Sequence, residues 1–160
     1  MCDGFILIMD KKIKYMNAAI KEAEKALLID EVPIGCVLVK NDKIIARGYN
    51  HRENKQMVFS HAEMEAIQKA NKKLGNWRLV DCDIYVTVEP CIMCMGALIQ
   101  SRVAHIYYGT QDLKGGAVES SINVLEAKNI NHHPIVEGGI LKEKCAEILS
   151  NYFQQKRKNK

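Results

Sequence analysis

A chain of 160 residues with a net charge of +4, 48% apolar and 26% charged residues has the composition of one ordinary globular domain, long enough to bury a core without disulfide staples. Such usage excludes a fibre or a disordered tract, and the small positive excess would suit a polyanionic partner without requiring one. The six cysteines, Cys2, Cys36, Cys82, Cys91, Cys94 and Cys145, follow no cleavable leader pattern, so the expected home is a reducing cytoplasm.

In chain order, residues 5–9 form an apolar run too short for a secretory core or a membrane span. Met9-Asp10-Lys11-Lys12 reads as an alternative start, which would leave residues 1–8 as an N-terminal extension. Ile13, Met16, Ala19, Ile20, Ala23 and Leu27 recur at helical spacing and predict an amphipathic first helix. Residues 33–40 and 43–49 are apolar runs parted only by Asn41-Asp42, which predicts a tight hairpin. A second helix is expected over 60–74, a buried strand over 83–88, and a third helix from 91 to about 100, opened by Pro90. Residues 103–109 predict another strand, followed by a loop with Asp112, Lys114, Gly115 and Gly116, then short helical and extended pieces. A last helix is expected over 140–152, ahead of a basic tail at 154–160. With no repeat and no linker, this order predicts a single α/β domain over 1–160, a mixed sheet with helices packed on its faces.

Two short segments carry chemistry: His61-Ala62-Glu63 and Pro90-Cys91-Ile92-Met93-Cys94, each at the first turn of a predicted helix. A catalytic zinc takes three protein ligands from imidazole nitrogen and thiolate sulfur and keeps a fourth position for water. His61, Cys91 and Cys94 supply that count. Cys91 and Cys94 are spaced to share a helix face, whereas residues two apart lie about 200° apart around a helix. His61 and Glu63 therefore meet one ion only if the helix points its N-terminus at it, an arrangement that also favours thiolate. Glu63 is the expected proton carrier, since a carboxylate beside the water can take its proton and return it to a leaving amine.

Other readings stay open at this level. Ser60-x-x-Glu63 also fits a capping box, and Cys91-x-x-Cys94 also fits a thiol redox pair or half of a structural zinc site. Taken together, however, the segments match H-x-E followed by P-C-x-x-C, the signature of zinc deaminases.

Beyond the metal motif, the chain resembles the bacterial tRNA-specific adenosine deaminases of the TadA type, within the cytidine and deoxycytidylate deaminase superfamily. The resemblance runs through Glu31-Val32-Pro33-Ile34-Gly35, Gly48-Tyr49-Asn50, His61-Ala62-Glu63, Asn76-Trp77-Arg78-Leu79, Tyr85 to Cys94, and Gly115-Gly116-Ala117. It implies a three-layer αβα sandwich of the cytidine-deaminase-like kind with about five strands. It also implies one Zn2+ per subunit, a homodimer, and hydrolysis of the wobble adenosine of a tRNA anticodon to inosine, with neither a membrane nor a nucleotide cofactor involved. The alternative within the same chemistry is a free-base or nucleoside deaminase acting on guanine, cytosine or cytidine.

By the same resemblance Asn50, Val32, Ala62 and Phe153 are substrate-binding residues, and Asp112, Lys114, Asn131, His132, Lys156 and Arg157 are RNA contacts. Read without it, Asn50 fits a turn, Val32 and Phe153 fit core packing, and the loop and tail residues fit a solvated surface. Met95 and Glu119 depart from the family's usual smaller residue and glycine, which bears on the pocket wall and the neighbouring loop.

Overall fold

A computed structural model describes residues 2–160, and Met1 lies outside the described residues. The chain runs α1 (Cys2–Leu28), β1 (Gly35–Lys40), β2 (Lys43–Tyr49), α2 (Arg52–Lys55), α3 (Ala62–Leu74), β3 (Cys82–Val88), α4 (Ile92–Gln100), β4 (His105–Thr110), β5 (Ile135–Glu137) and α5 (Lys142–Lys158). Between β4 and β5 a single 3-10 turn spans Val124–Glu126. Among the described residues no helix is long and apolar enough to cross a membrane.

The sheet has five strands in the order β2-β1-β3-β4-β5. β1 pairs antiparallel with β2 and with β3, while β3–β4 and β4–β5 are parallel, so the sheet is mixed as expected. Asn41 and Asp42 both sit at positive φ, 50° and 59°, the conformation a two-residue hairpin needs to follow the strand twist. Alternation along β1 sends Cys36 and Leu38 to one face and Val37 and Val39 to the other. The first face packs on Ala62, Ala66 and Ala70 of α3 and on Met95 and Leu98 of α4. The second packs on Met16, Ala19 and Ile20 of α1 and on Cys145 of α5. The result is the three-layer αβα sandwich.

Two boundaries differ from the sequence reading. The apolar run at 5–9 belongs to α1, whose periodicity in the sequence begins only at Ile13, with Phe5, Ile6, Leu7 and Ile8 exposed. Helix α5 runs on through Lys158, because residues 154–158 are good helix formers and contain neither glycine nor proline to stop it.

The topology gathers the chemistry at one edge. Val88 pairs with Thr110, so β3 and β4 end side by side, and the start of β1 and the end of β2 lie at the same edge through Gly35↔Tyr49 and Cys36↔Val86. The carboxyl ends of adjacent parallel strands are where open α/β sheets place their ligands. Helix α3 is seated there by small residues: a Cβ on Gly48 would come within 2.3 Å of the Ala62 carbonyl oxygen, and the Cys36 thiol donates to that same oxygen at 3.1 Å.

Candidate active site

His61 and Cys91 are the N-cap residues of α3 and α4, both with extended backbone and neither making a side-chain cap. Their carbonyls accept the first helical bonds, from Glu65 and Met95, while their side chains are left free to point at one another. Helix N-caps favour serine, threonine, aspartate or asparagine, so a histidine and a cysteine at two neighbouring caps forgo local stability for another use. Because the cap is His61 and not Ser60, the capping box does not form, and Glu63 is free for a different role. The helix N-terminus directed at the cluster also resolves how His61 and Glu63, two residues apart, reach one point.

His61 Nδ1 lies 3.6 Å from Cys91 Sγ and 3.6 Å from Cys94 Sγ, and the three ligand atoms all fall within 4.8 Å of one another. A tetrahedral zinc with sulfur at about 2.3 Å and nitrogen at about 2.0–2.1 Å separates nitrogen from sulfur by about 3.6 Å. The donor set and its spacing therefore fit zinc without rearrangement. Cys91 is the more acidic thiol, held at about 4 first by the Cys94 thiol that donates to it, and then, against the opposing effect of burial, by His61. Cys94 is pushed well up, first by giving its proton to that bond and then by burial. The hydrogen bond with Cys91 in turn raises His61 above its ordinary value.

Glu63 is 4% exposed, and burial pushes its carboxyl from an ordinary 4.5 up to about 7. A carboxyl poised near neutrality can both take and give a proton, which is the requirement for a proton carrier. It lines a cavity of about 170 Å³ together with Val32, Ile34, Asn50, Arg52, His61, Ala62 and Asp112. A larger cavity of about 280 Å³, bounded by Tyr15, Tyr85 and Tyr107, opens at the far end of the sheet beside Asp42 and Asp83. No metal-ligand cluster accompanies it among the described residues, so the smaller cavity is the one that matters.

Of the residues expected to bind substrate, Val32, Asn50 and Ala62 line this cavity. Asn50 is also structural: its Oδ1 accepts from the Arg52 amide at 3.0 Å and its Nδ2 donates to the Val32 carbonyl at 3.3 Å, tying two walls together. Phe153 does not line the cavity; it sits on α5, 44% exposed, edge-on to Tyr152. Lys156 on the same helix pairs with Asp30, two residues from Val32, and Lys156 and Arg157 both lie on ordered helix and not on a free tail.

The loop candidates separate into two groups. Asp112 borders the cavity, its Oδ1 accepting from the Lys114 and Gly115 amides, and Lys114 is exposed beside it. Asn131 and His132 lie at the other end of β4, where a ring nitrogen of His132 donates to the Val103 carbonyl at 2.6 Å. Six residues of strand, roughly 20 Å, separate the two groups. Met95 is fully buried beneath α4, and Glu119 accepts from Tyr108 and Gln111, so both departures from the family pattern are absorbed by local packing.

Sequence reasoning assigned no role to Glu89. It is 3% exposed, and its carboxylate accepts from the backbone of Asp112, Val118, Glu119 and Ser120. Only its place between a strand and Pro90-Cys91 could have drawn attention to it, since the amides it binds are more than twenty residues away.

The MafB19-like deaminase family model matches residues 9–157. A tRNA-specific adenosine deaminase of Bacillus subtilis (strain 168) is 49% identical over 146 residues, 91% of each chain. One from Streptococcus pyogenes serotype M1 is 45% identical over 152 residues, 95% of this chain and 89% of that one. A solved chain from studies of A-to-I editing by tRNA:A34 deaminases at the wobble position of transfer RNA has a TM-score of 0.83 and 43% identity, covering 85% of this chain and 99% of that one. Family model, relatives and fold agree, and the chain belongs to the MafB19-like deaminases and, among them, to the tRNA-specific adenosine deaminase family.

Proposed function

We propose that the protein hydrolyses the exocyclic amine of the wobble adenosine in a tRNA anticodon, releasing ammonia and leaving inosine. The observation that carries this reading is His61 Nδ1 equidistant from two cysteine sulfurs, beside a buried carboxyl at the floor of a small cavity, in a chain of this family.

His61, Cys91 and Cys94 would hold one zinc ion. Bound there, zinc supplies Lewis-acid activation of the attacking water. Glu63 takes the proton that water gives up as its oxygen bonds to C6 and hands it to ring nitrogen N1. A second proton passed through the same carboxylate goes to the amine, the C6–N bond breaks, and ammonia departs as the C6 carbonyl forms. Val32 and Ile34 offer apolar wall to a base, and the short side chain of Ala62 leaves room for it beside Glu63. An anticodon loop suits such a pocket because its bases unstack at less cost than those of a duplex.

Asp112 and Lys114, at the cavity rim, and Lys156 and Arg157, on α5, are assigned to the RNA loop. Asn131 and His132 can reach RNA only through a footprint that extends well beyond one base pocket. Phe153 closes on the base only if α5 shifts toward the cavity. A homodimer and a cytoplasmic place of work complete the reading.

The test compares ammonia release from an adenosine-containing anticodon stem-loop with that from free guanine, cytosine, cytidine and adenosine. Release from the stem-loop, abolished by Glu63→Ala with zinc retained, is expected. Release from the small molecules alone would assign the site to the free-base or nucleoside class.

A further inference from the structure

Segment 112–120 forms no helix or strand of its own, yet it makes one wall of the cavity through Asp112. What holds it is one side chain. Glu89 Oε2 accepts from the amides of Val118, Glu119 and Ser120 at 3.0, 2.9 and 3.1 Å. Its Oε1 accepts from the Asp112 amide at 3.2 Å and the Ser120 hydroxyl at 2.5 Å. Gly116 lies flat against the same carboxylate, where a Cβ would stand 2.3 Å from Glu89 Cδ. The segment is also tied to the next two residues of the chain, by the Ala117 amide on the Pro90 carbonyl and a bridge between Gly116 and Cys91. One buried carboxylate thus fixes the loop that carries Asp112 and Lys114 against the turn between β3 and α4 that carries Cys91.

We propose that Glu89 is a positioning residue for the RNA substrate: it sets Asp112 at the cavity rim and so acts on substrate binding, not on the breaking of the C–N bond. This role rests on the proposed function. It also makes a specific demand on chemistry. In Glu89→Gln the amide oxygen can keep the three donors now on Oε2, and the Ser120 hydroxyl can turn to accept from the new NH2 group. The Asp112 amide has no such freedom and loses its acceptor, because two donors then face each other. The substitution therefore loosens the Asp112 end and leaves 118–120 in place.

Steady-state deamination of an anticodon stem-loop is measured for wild type, Glu89→Gln, Asp112→Ala and the double variant, with zinc content and backbone amide exchange recorded on each. Glu89→Gln is expected to keep its zinc, to leave kcat within about twofold and to raise KM about tenfold, the equivalent of one hydrogen bond to a charged group. Its Asp112 amide exchanges faster while those of 118–120 stay protected. Added to Asp112→Ala, it raises KM no further, since the side chain it positions is gone. Gly116→Ala disturbs the same contact from the loop side and is expected to raise KM likewise with zinc retained. Multiplicative KM effects in the double variant, a fall confined to kcat, or zinc loss in Glu89→Gln and Gly116→Ala would overturn the role of Glu89. A wild type inactive on the stem-loop would sink the proposed function and the RNA role with it, whereas a KM-neutral Glu89→Gln on an active wild type sinks the role of Glu89 alone.

Discussion

At the scale of single residues, the site concentrates groups that the fold would be more stable without. Glu63 is the clearest case. Its folded carboxyl titrates at about 7 and its unfolded one at the ordinary 4.5, so between those values the unfolded chain has released a proton that the folded chain retains. Stability from this group is present below about 4.5 and declines as pH rises to about 7, by up to about 3 kcal/mol. Glu63→Gln removes the dependence. Thermal melts of chelator-treated protein should show the variant above wild type at pH 8 and level with it near pH 4.5; equal melting at both would contradict the account. With zinc restored, the same variant should lose about a thousandfold or more in deamination while binding the metal as before. That His61, Glu63, Cys91 and Cys94 belong to one site was legible in the sequence because each motif is local and its chemistry needs particular side chains. Glu89 was not, because a lone acid at a strand end has no local signature and its partners are brought to it only by tertiary structure.

At the scale of elements, the two helix starts carry a histidine and a cysteine at the N-cap, neither of which caps its helix through its side chain. A serine at position 91 would restore a conventional N-cap to α4 and remove one of the three proposed metal ligands. Cys91→Ser should therefore match or exceed wild type in metal-free stability, by about 0.5–1 kcal/mol, while failing to hold zinc in equilibrium dialysis. Retained stoichiometric zinc would mean that Cys91 is not a ligand. The seat of α3 is tested by Gly48→Ala, whose Cβ collides with the Ala62 carbonyl. Relieving that contact must push α3 off the sheet, and a loss of about 1–3 kcal/mol in chemical denaturation is expected. The hairpin and the helices over 62–74 and 92–100 were readable because turn residues and apolar periodicity are local signals. Strand β5 was not, since Ile135–Glu137 is three residues long, mostly exposed, and is a strand only because β4 pairs with it. The true end of α5 was missed for the opposite reason: its basic residues read as a tail, yet they are ordinary helix formers held by the Lys156–Asp30 pair.

At the scale of the whole molecule, the sheet order brings β1, β2, β3 and β4 to one functional edge, and the distribution of the RNA candidates is judged against that edge. Asp112 borders the cavity at that edge, with Lys114 beside it and Lys156 paired to Asp30, and replacing Lys114 and Lys156 together by glutamine should weaken stem-loop binding and reduce its dependence on salt, with zinc content unchanged. Asn131 and His132 looked equivalent to Asp112 and Lys114 in the sequence, where both pairs are loop residues; the length of β4 is what separates them. Pairwise distance across a strand is not a property that spacing along the chain reveals. The central claim is that this edge edits one base of an anticodon. The direct measurement is to incubate the zinc-loaded protein with intact tRNA bearing a wobble adenosine and to map inosine at every position. The account predicts inosine at the wobble position alone, absent with Glu63→Ala; unedited tRNA alongside rapid release of ammonia from free guanine or cytidine would contradict it.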